Sequence, residues 1–293
     1  MGAVARLALS LETLLTDLKP VKESKENAAP WWGPVVVPHG HAGRWQIGPL
    51  TLWVERLQGE WRIARSSSDD AGSARVEHEI GPAKDDLLSH ESLSRFGLSG
   101  QNESIALVPA LADRPVVSTP RRPFYIPAGE EVTIYVGTPL WIRLFVGETQ
   151  LDEFAIHQPP DTWFGPSPQM GEVCYASRSF CRLQLEAVLT TPHRATTSVL
   201  IQNHASTSLY LDQVKLPVPY LSLYSDPDTA DLWTNDVVLQ RVEDQELAPL
   251  QVRDGAPASL LRAREVCAPR RQASGNVMIR AFETLFSDRL GGA

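Results

Sequence analysis

The chain has 293 residues, 43% of them hydrophobic and 21% charged, with 35 acidic against 27 basic residues and a net charge of −8. That length allows one large domain or two smaller ones and suffices to bury a sizeable core, while the composition excludes low-complexity disorder and a disulfide-dense miniprotein. The acidic balance disfavours non-specific binding to DNA or to an anionic membrane, and no window approaches the ~18 uninterrupted apolar residues of a spanning helix.

Residues 4–18 read as an amphipathic helix: Leu7, Leu11, Leu14 and Leu18 recur at helical spacing, opposed by Arg6, Ser10, Thr13 and Asp17, and Pro20 stops the pattern. An isolated helix of this length is marginal in water, so the leucine stripe is expected to dock on a surface, in cis or on a partner. Residues 19–30 hold three of the five lysines and no apolar period, and read as a solvated linker. From Arg44 to Arg65, alternating Trp45/Ile47, Leu50/Leu52/Val54 and Trp61/Ile63 predict a three-strand meander with turns at Gly48-Pro49 and Gln58-Gly59. Residues 66–79 are polar and read as a loop, and 85–95 as an ambiguous stretch that could hold a short helix.

Beyond residue 104, short alternating stretches punctuated by many of the 23 prolines predict strands at 105–108, 115–118, 132–136, 140–146 and 182–188. A hairpin is expected from 198–202 and 208–214, with further strands at 216–223 and 237–241. Asn276 is a candidate N-cap for a helix over 277–289, with Phe282, Leu285 and Phe286 on its apolar face. The expected fold is mainly β: an antiparallel β-sandwich or jelly-roll-like pair of sheets with an N-terminal and a C-terminal amphipathic helix. The expected organisation is helix and linker over 1–43, a small β-meander over 44–103, and the β-sandwich with its helix over 104–293.

Three cysteines, Cys174, Cys181 and Cys267, are too few and odd in number for a secreted framework, so a reducing, cytoplasmic setting is expected. The densest run of chemically capable residues is 161–194. Asp161, Trp163, Glu172, Tyr175, Arg178, His193 and Arg194 combine carboxylate, ring and guanidinium groups able to hold an anionic or planar ligand. The blander alternative is a packed corner in which Glu172 neutralises Arg178. Asp226, Asp228 and Asp231 lack the glycine and glutamate of a calcium loop, and His39 with His41 lacks a third ligand. No metal or cofactor is therefore expected. The basic run Arg262, Arg264, Arg270 and Arg271 has no interleaved aromatics, so a nucleic-acid partner is not expected either. No P-loop, nucleophile-elbow or dinucleotide motif occurs.

The strings YIPAGEEVTIYVGTPLWIRL, DTWFGP, GEVCYASR, LPVPYLSLY, DLWT and NVMIRAFETLF resemble an uncharacterised domain-of-unknown-function family of archaea and proteobacteria, over about residues 118–286. The resemblance implies a cytosolic, β-rich domain and a link to membrane-protein partners, and brings no catalytic residue or cofactor. The resulting expectation is a non-catalytic binding or interaction module, an accessory to a membrane-protein or other complex, with a protein partner or a second copy as its companion. The alternative is an enzyme acting on a small anionic or polar ligand near 161–194.

Overall fold

In the computed structural model the described residues are 30–83, 87–88, 90–99, 102–165, 167, 169, 171–242, 248–272 and 277–279. The helix expected over 4–18, with Leu7, Leu11, Leu14 and Leu18, lies outside them.

Tryptophan and aliphatic alternation builds the first sheet as its period requires. His41–Ile47, Leu50–Leu57 and Glu60–Ser67 form an antiparallel meander, with Trp45, Ile47, Leu52, Val54, Trp61 and Ile63 all buried. Val76–Pro82 and Ser94–Gly97 add the two edges, making five strands. The loop expected over 66–79 therefore shrinks to 68–75; within 85–95, Leu87 and Leu88 take 3-10 helical conformation and an edge strand begins at Ser94. Gly48 and Gly59 take positive φ of 55° and 71° at the two tight turns, a region glycine enters without steric cost.

The spine of the rest is Glu131–Val146, sixteen residues in one strand. Its first half pairs with Arg194–Asn203, from Glu131 opposite Gln202 to Pro139 opposite Arg194. Its second half pairs with Ser104–Leu111 and, on the other edge, with Thr149–Ala155. Sequence reading split this strand at Thr138-Pro139. The chain runs straight through because Pro139 sits where one neighbour ends and the next begins, so its missing N–H costs little in the ladder. Thr138 is fully buried there, its hydroxyl 2.6 Å from that of Thr197.

Around this spine an eleven-stranded sheet runs in the order Gly33–Val36, Ser104–Leu111, Glu131–Val146, Arg194–Asn203, Leu232–Thr234, Leu223–Ser225, Arg264–Cys267, with four further strands off that path. It curls until Arg264–Cys267 returns to lie near Ser104–Leu111. A four-stranded sheet, Asp161–Phe164, Glu172–Phe180, Val116–Pro120 and Val214–Leu216, covers part of it. One continuous apolar cluster runs from Trp45 and Ile63 in the meander through Ile105, Ile142 and Val199 to Leu239.

The fold class expected from sequence is thus corrected in three respects. Among the described residues there is no α-helix, only short 3-10 turns. The helix expected to start at Val277 is contradicted at its first turn, where Val277–Ile279 is a strand paired with Ala248–Leu250; its remainder, with Phe282, Leu285 and Phe286, lies outside the described residues. The sheets are also not purely antiparallel, for Glu172–Phe180 runs parallel to Val116–Pro120, and Arg194–Asn203 parallel to Leu232–Thr234 and Val237–Arg241.

Two local expectations fail for backbone reasons. The alternation of Leu183, Leu185 and Ala187 is not a strand: Phe180 and Cys181 turn the chain with φ of 64° and 23°, and Leu185–Ala187 is a 3-10 turn. The hairpin after 198–202 does not close on itself, because Leu209–Leu211 pairs with Phe124–Ile126 instead. Buried Asn203 fixes that departure. Its Nδ2 donates to the carbonyls of Ile126, Pro127 and Thr207 at 2.9, 3.0 and 2.9 Å. Asn203→Leu removes a donor those carbonyls share, and is expected to lower the unfolding free energy by about 1–3 kcal/mol, read as a lower urea midpoint at unchanged slope.

Candidate functional site

The residues singled out between 161 and 194 separate into an outer group and an inner pair. Asp161 pairs in register with Tyr175 across the small sheet. Arg114 bridges them, donating to Asp161 at 3.2 Å and lying 5.1 Å over the Tyr175 ring. The Tyr175 hydroxyl donates to Asp113 at 3.0 Å, and its ring packs 5.3 Å from Trp141. Burial first, and then Asp113, pushes the phenol's pKa up. Trp163 stands half-exposed beside Val173. Its indole covers Gly171, where a Cβ would come within 2.5 Å of the ring.

Glu172 does not neutralise Arg178. Its carboxylate pairs with Lys215, which is buried in Val214–Leu216 and also lies 5.3 Å from the Phe164 ring. Arg178 is exposed on its strand. Lys215 is the residue sequence reasoning missed, although a lone lysine between Val214 and Leu216 in a lysine-poor chain was a usable signal. Beneath it, Cys174 is pushed up to about 12, mainly by burial, and Cys181 to about 11 for the same reason, so neither is a thiolate at neutral pH. Glu172 is half-exposed, which softens the pair through solvent screening. Even so, Glu172→Gln leaves a buried ammonium unmatched. It is expected to destabilise by about 1–2 kcal/mol in thermal unfolding, whereas Lys215→Met with Glu172→Gln together should recover most of the loss.

His193 and Arg194 face a different region, under the loop that leaves the meander. His193 is 1% exposed and neither ring nitrogen makes a well-formed hydrogen bond; nor does Nδ1 of His157, whose ring lies 6.2 Å away. The ring sits against Gly48, where a Cβ would fall 2.7 Å from His193 Nδ1. Burial, then Arg194, then His157 drive the His193 pKa down to about 3, against a usual 6.5, with the backbone of Ala71 pulling weakly the other way. His157 is lowered by burial and by Arg194, against an opposing pull from Asp69.

Arg194 donates from Nη1 to the Gly137 carbonyl at 3.1 Å and to the Ser177 hydroxyl at 3.0 Å. Gly137 leaves room for its stem: a Cβ there would lie 3.2 Å from Arg194 Cδ. No carboxylate pairs with this guanidinium among the described residues, and burial pulls its pKa down.

Arg194 borders a cleft of about 260 Å3 whose walls include Trp31, Trp32, Thr191, Pro192 and Asp231. Trp31 and Trp32 meet edge to face at 5.4 Å, and the Trp31 indole N–H is anchored on the Pro192 carbonyl at 3.0 Å. A second cleft of about 420 Å3 opens on the other side of Trp32, where Arg264–Cys267 closes over Leu107–Pro109. Pro30, Trp32 and Ala230 border both. Ala230 holds a left-handed φ of 57° inside the turn Asp226–Asp231, where its N–H donates to the Asp226 carbonyl at 2.8 Å. Sequence reasoning weighed that aspartate run against a calcium loop and missed the tryptophan pair. The adjacent tryptophans after a polar stretch were the available signal.

Among the described residues no cluster of three or more His, Cys, Asp or Glu could hold a metal, and no helix there is long and apolar enough to cross a membrane. Residues 31–287 match the family described as "Protein of unknown function (DUF432)". The chain belongs to that family, and the match takes in the tryptophan meander as well as the part beyond residue 118. No curated protein and no solved structure matches the chain significantly.

The depressed histidine gives a stability test. Above pH 6.5 both folded and unfolded His193 are neutral and contribute no pH dependence. As pH falls from 6.5 towards 3 the unfolded ring takes a proton that the folded one refuses, so stability is lost across that window. The wild-type melting temperature should decline from pH 6.5 to 4, and His193→Gln should flatten that decline.

Proposed function

We propose that the protein is a non-catalytic binding module whose ligand seats in the two clefts walled by Trp32, where the large sheet curls back on itself. The observation that carries this reading is the composition of that place: a tryptophan pair flanked by prolines, next to a guanidinium without a counter-charge among the described residues. Concave, largely apolar clefts with a few polar groups are the usual form of a small-ligand site. An unmatched, largely buried arginine costs stability that a structural role alone does not repay. Glu172, Arg178 and His193 lie in separate surroundings, which favours the binding reading over the enzymatic alternative. Protonated thiols and a histidine that stays neutral down to about pH 3 offer no obvious nucleophile or proton carrier. Three free cysteines suit a reducing, cytoplasmic setting. Within such a setting the module is read as an accessory to a membrane-protein or other complex.

Ligand-observed NMR with a fragment set of acids, amines and neutral aromatics tests this reading. Hits that vanish in Trp32→Ala, and are recovered chemically unchanged after prolonged incubation, are expected. A set without Trp32-dependent hits overturns the site, and a fragment converted to product overturns the non-catalytic reading.

A further inference from the structure

The smaller cleft carries a more specific assignment, which rests on its being a ligand site at all. Arg194 is held by one nitrogen only: Nη1 is committed to Gly137 and Ser177, while Nε and Nη2 have no partner among the described residues. Those two nitrogens form the edge of a guanidinium that engages a carboxylate or phosphate through two parallel hydrogen bonds. The two bonds through Nη1 also fix the plane of the group, so little side-chain freedom is left to lose on binding. Thr191, three residues earlier on the same cleft wall, has a buried hydroxyl without a partner. Just behind them His193, almost wholly buried, presents two further nitrogens without a well-formed hydrogen bond, one of them a donor in the neutral ring. Thr191 and His193 thus hold buried polar atoms without a well-formed hydrogen bond beside an arginine bonded through Nη1 alone, whereas buried polar groups elsewhere in proteins are almost always paired. An anion in the cleft supplies what the free edge of Arg194 lacks. Trp31 and Trp32 supply flat apolar walls for whatever carries the charge.

We propose that the 260 Å3 cleft is an oxyanion site in which the free edge of Arg194 holds a carboxylate or phosphate borne on a flat, apolar body. The anion's source is read by comparing benzoate with phenyl phosphate, with benzamide as the uncharged control and inorganic phosphate as the anion without a body.

Binding is followed at pH 7 and low salt by tryptophan fluorescence and by the melting temperature of the full chain. One or both aryl anions should bind, benzamide should not, and raising the salt to about 0.5 M should weaken the aryl anions only modestly, as for a desolvated pair. Arg194→Met should weaken the aryl anions by about tenfold to a hundredfold, the worth of a charge-assisted pair. The same change should leave the unliganded protein at least as stable, because it removes an unmatched buried charge. Should Arg194→Met fail to fold by circular dichroism, Arg194→Lys, which keeps charge but loses the fork, is expected to weaken the aryl anions in its place.

Benzamide binding as tightly as benzoate, with Arg194 variants unchanged, overturns the oxyanion assignment and leaves the cleft standing as a ligand site. Loss of every Trp32-dependent probe overturns both.

Discussion

Glu131–Val146 has to satisfy two different sets of neighbours along one strand, and the rest of the molecule follows from how it does so. A strand this long cannot stay flat, since each step adds right-handed twist. The sheet built on it therefore curls, and its last strand comes back towards its second. The change of partners at Pro139 falls within residues 136–142, every one of them buried. Arg194, opposite Pro139, begins the neighbouring strand at that same point.

The position of Arg194 follows from the ladder register and not from any local signal. Opposite Pro139, its side chain can run along Gly137, whose lack of a Cβ keeps the path open. It ends between the tryptophan pair and the buried histidines, where solvation is poor and no carboxylate among the described residues pairs with it. His193, one residue earlier, is driven to the neutral form by the same burial and by that cation. The two neighbours show two responses to desolvation: a histidine gives up its proton at little cost, and an arginine cannot.

By contrast, the outer group at Asp161, Glu172 and Tyr175 is fully partnered. Arg114, Lys215 and Asp113 each supply the complementary group. These contacts tie the four-stranded sheet together and account for the unusual residues in its sequence without any ligand. A run of aromatic and charged side chains in one stretch of sequence was thus a weaker guide to a site than the unmatched groups that the fold assembled from distant stretches.

The sequence by itself determined the β character, the meander with Trp45, Leu52 and Ile63 inward, and the turns at Gly48 and Gly59, because strand period and left-handed turn positions are local properties of the chain. It also carried enough signature to mark the family. What it left open was everything set by long-range pairing. Apolar residues at 277–279 suit a helix face or a strand equally well, and the strand Ala248–Val252 decided the matter at their start. The apolar alternation at 183–187 was overruled by two residues of positive φ just before it. The clefts at Trp32 join residues near 31, 107, 191, 230 and 265, which no spacing rule connects. Only the curl of the sheet brings them together, since pairing register is a property of two strands at once and burial a property of the whole fold.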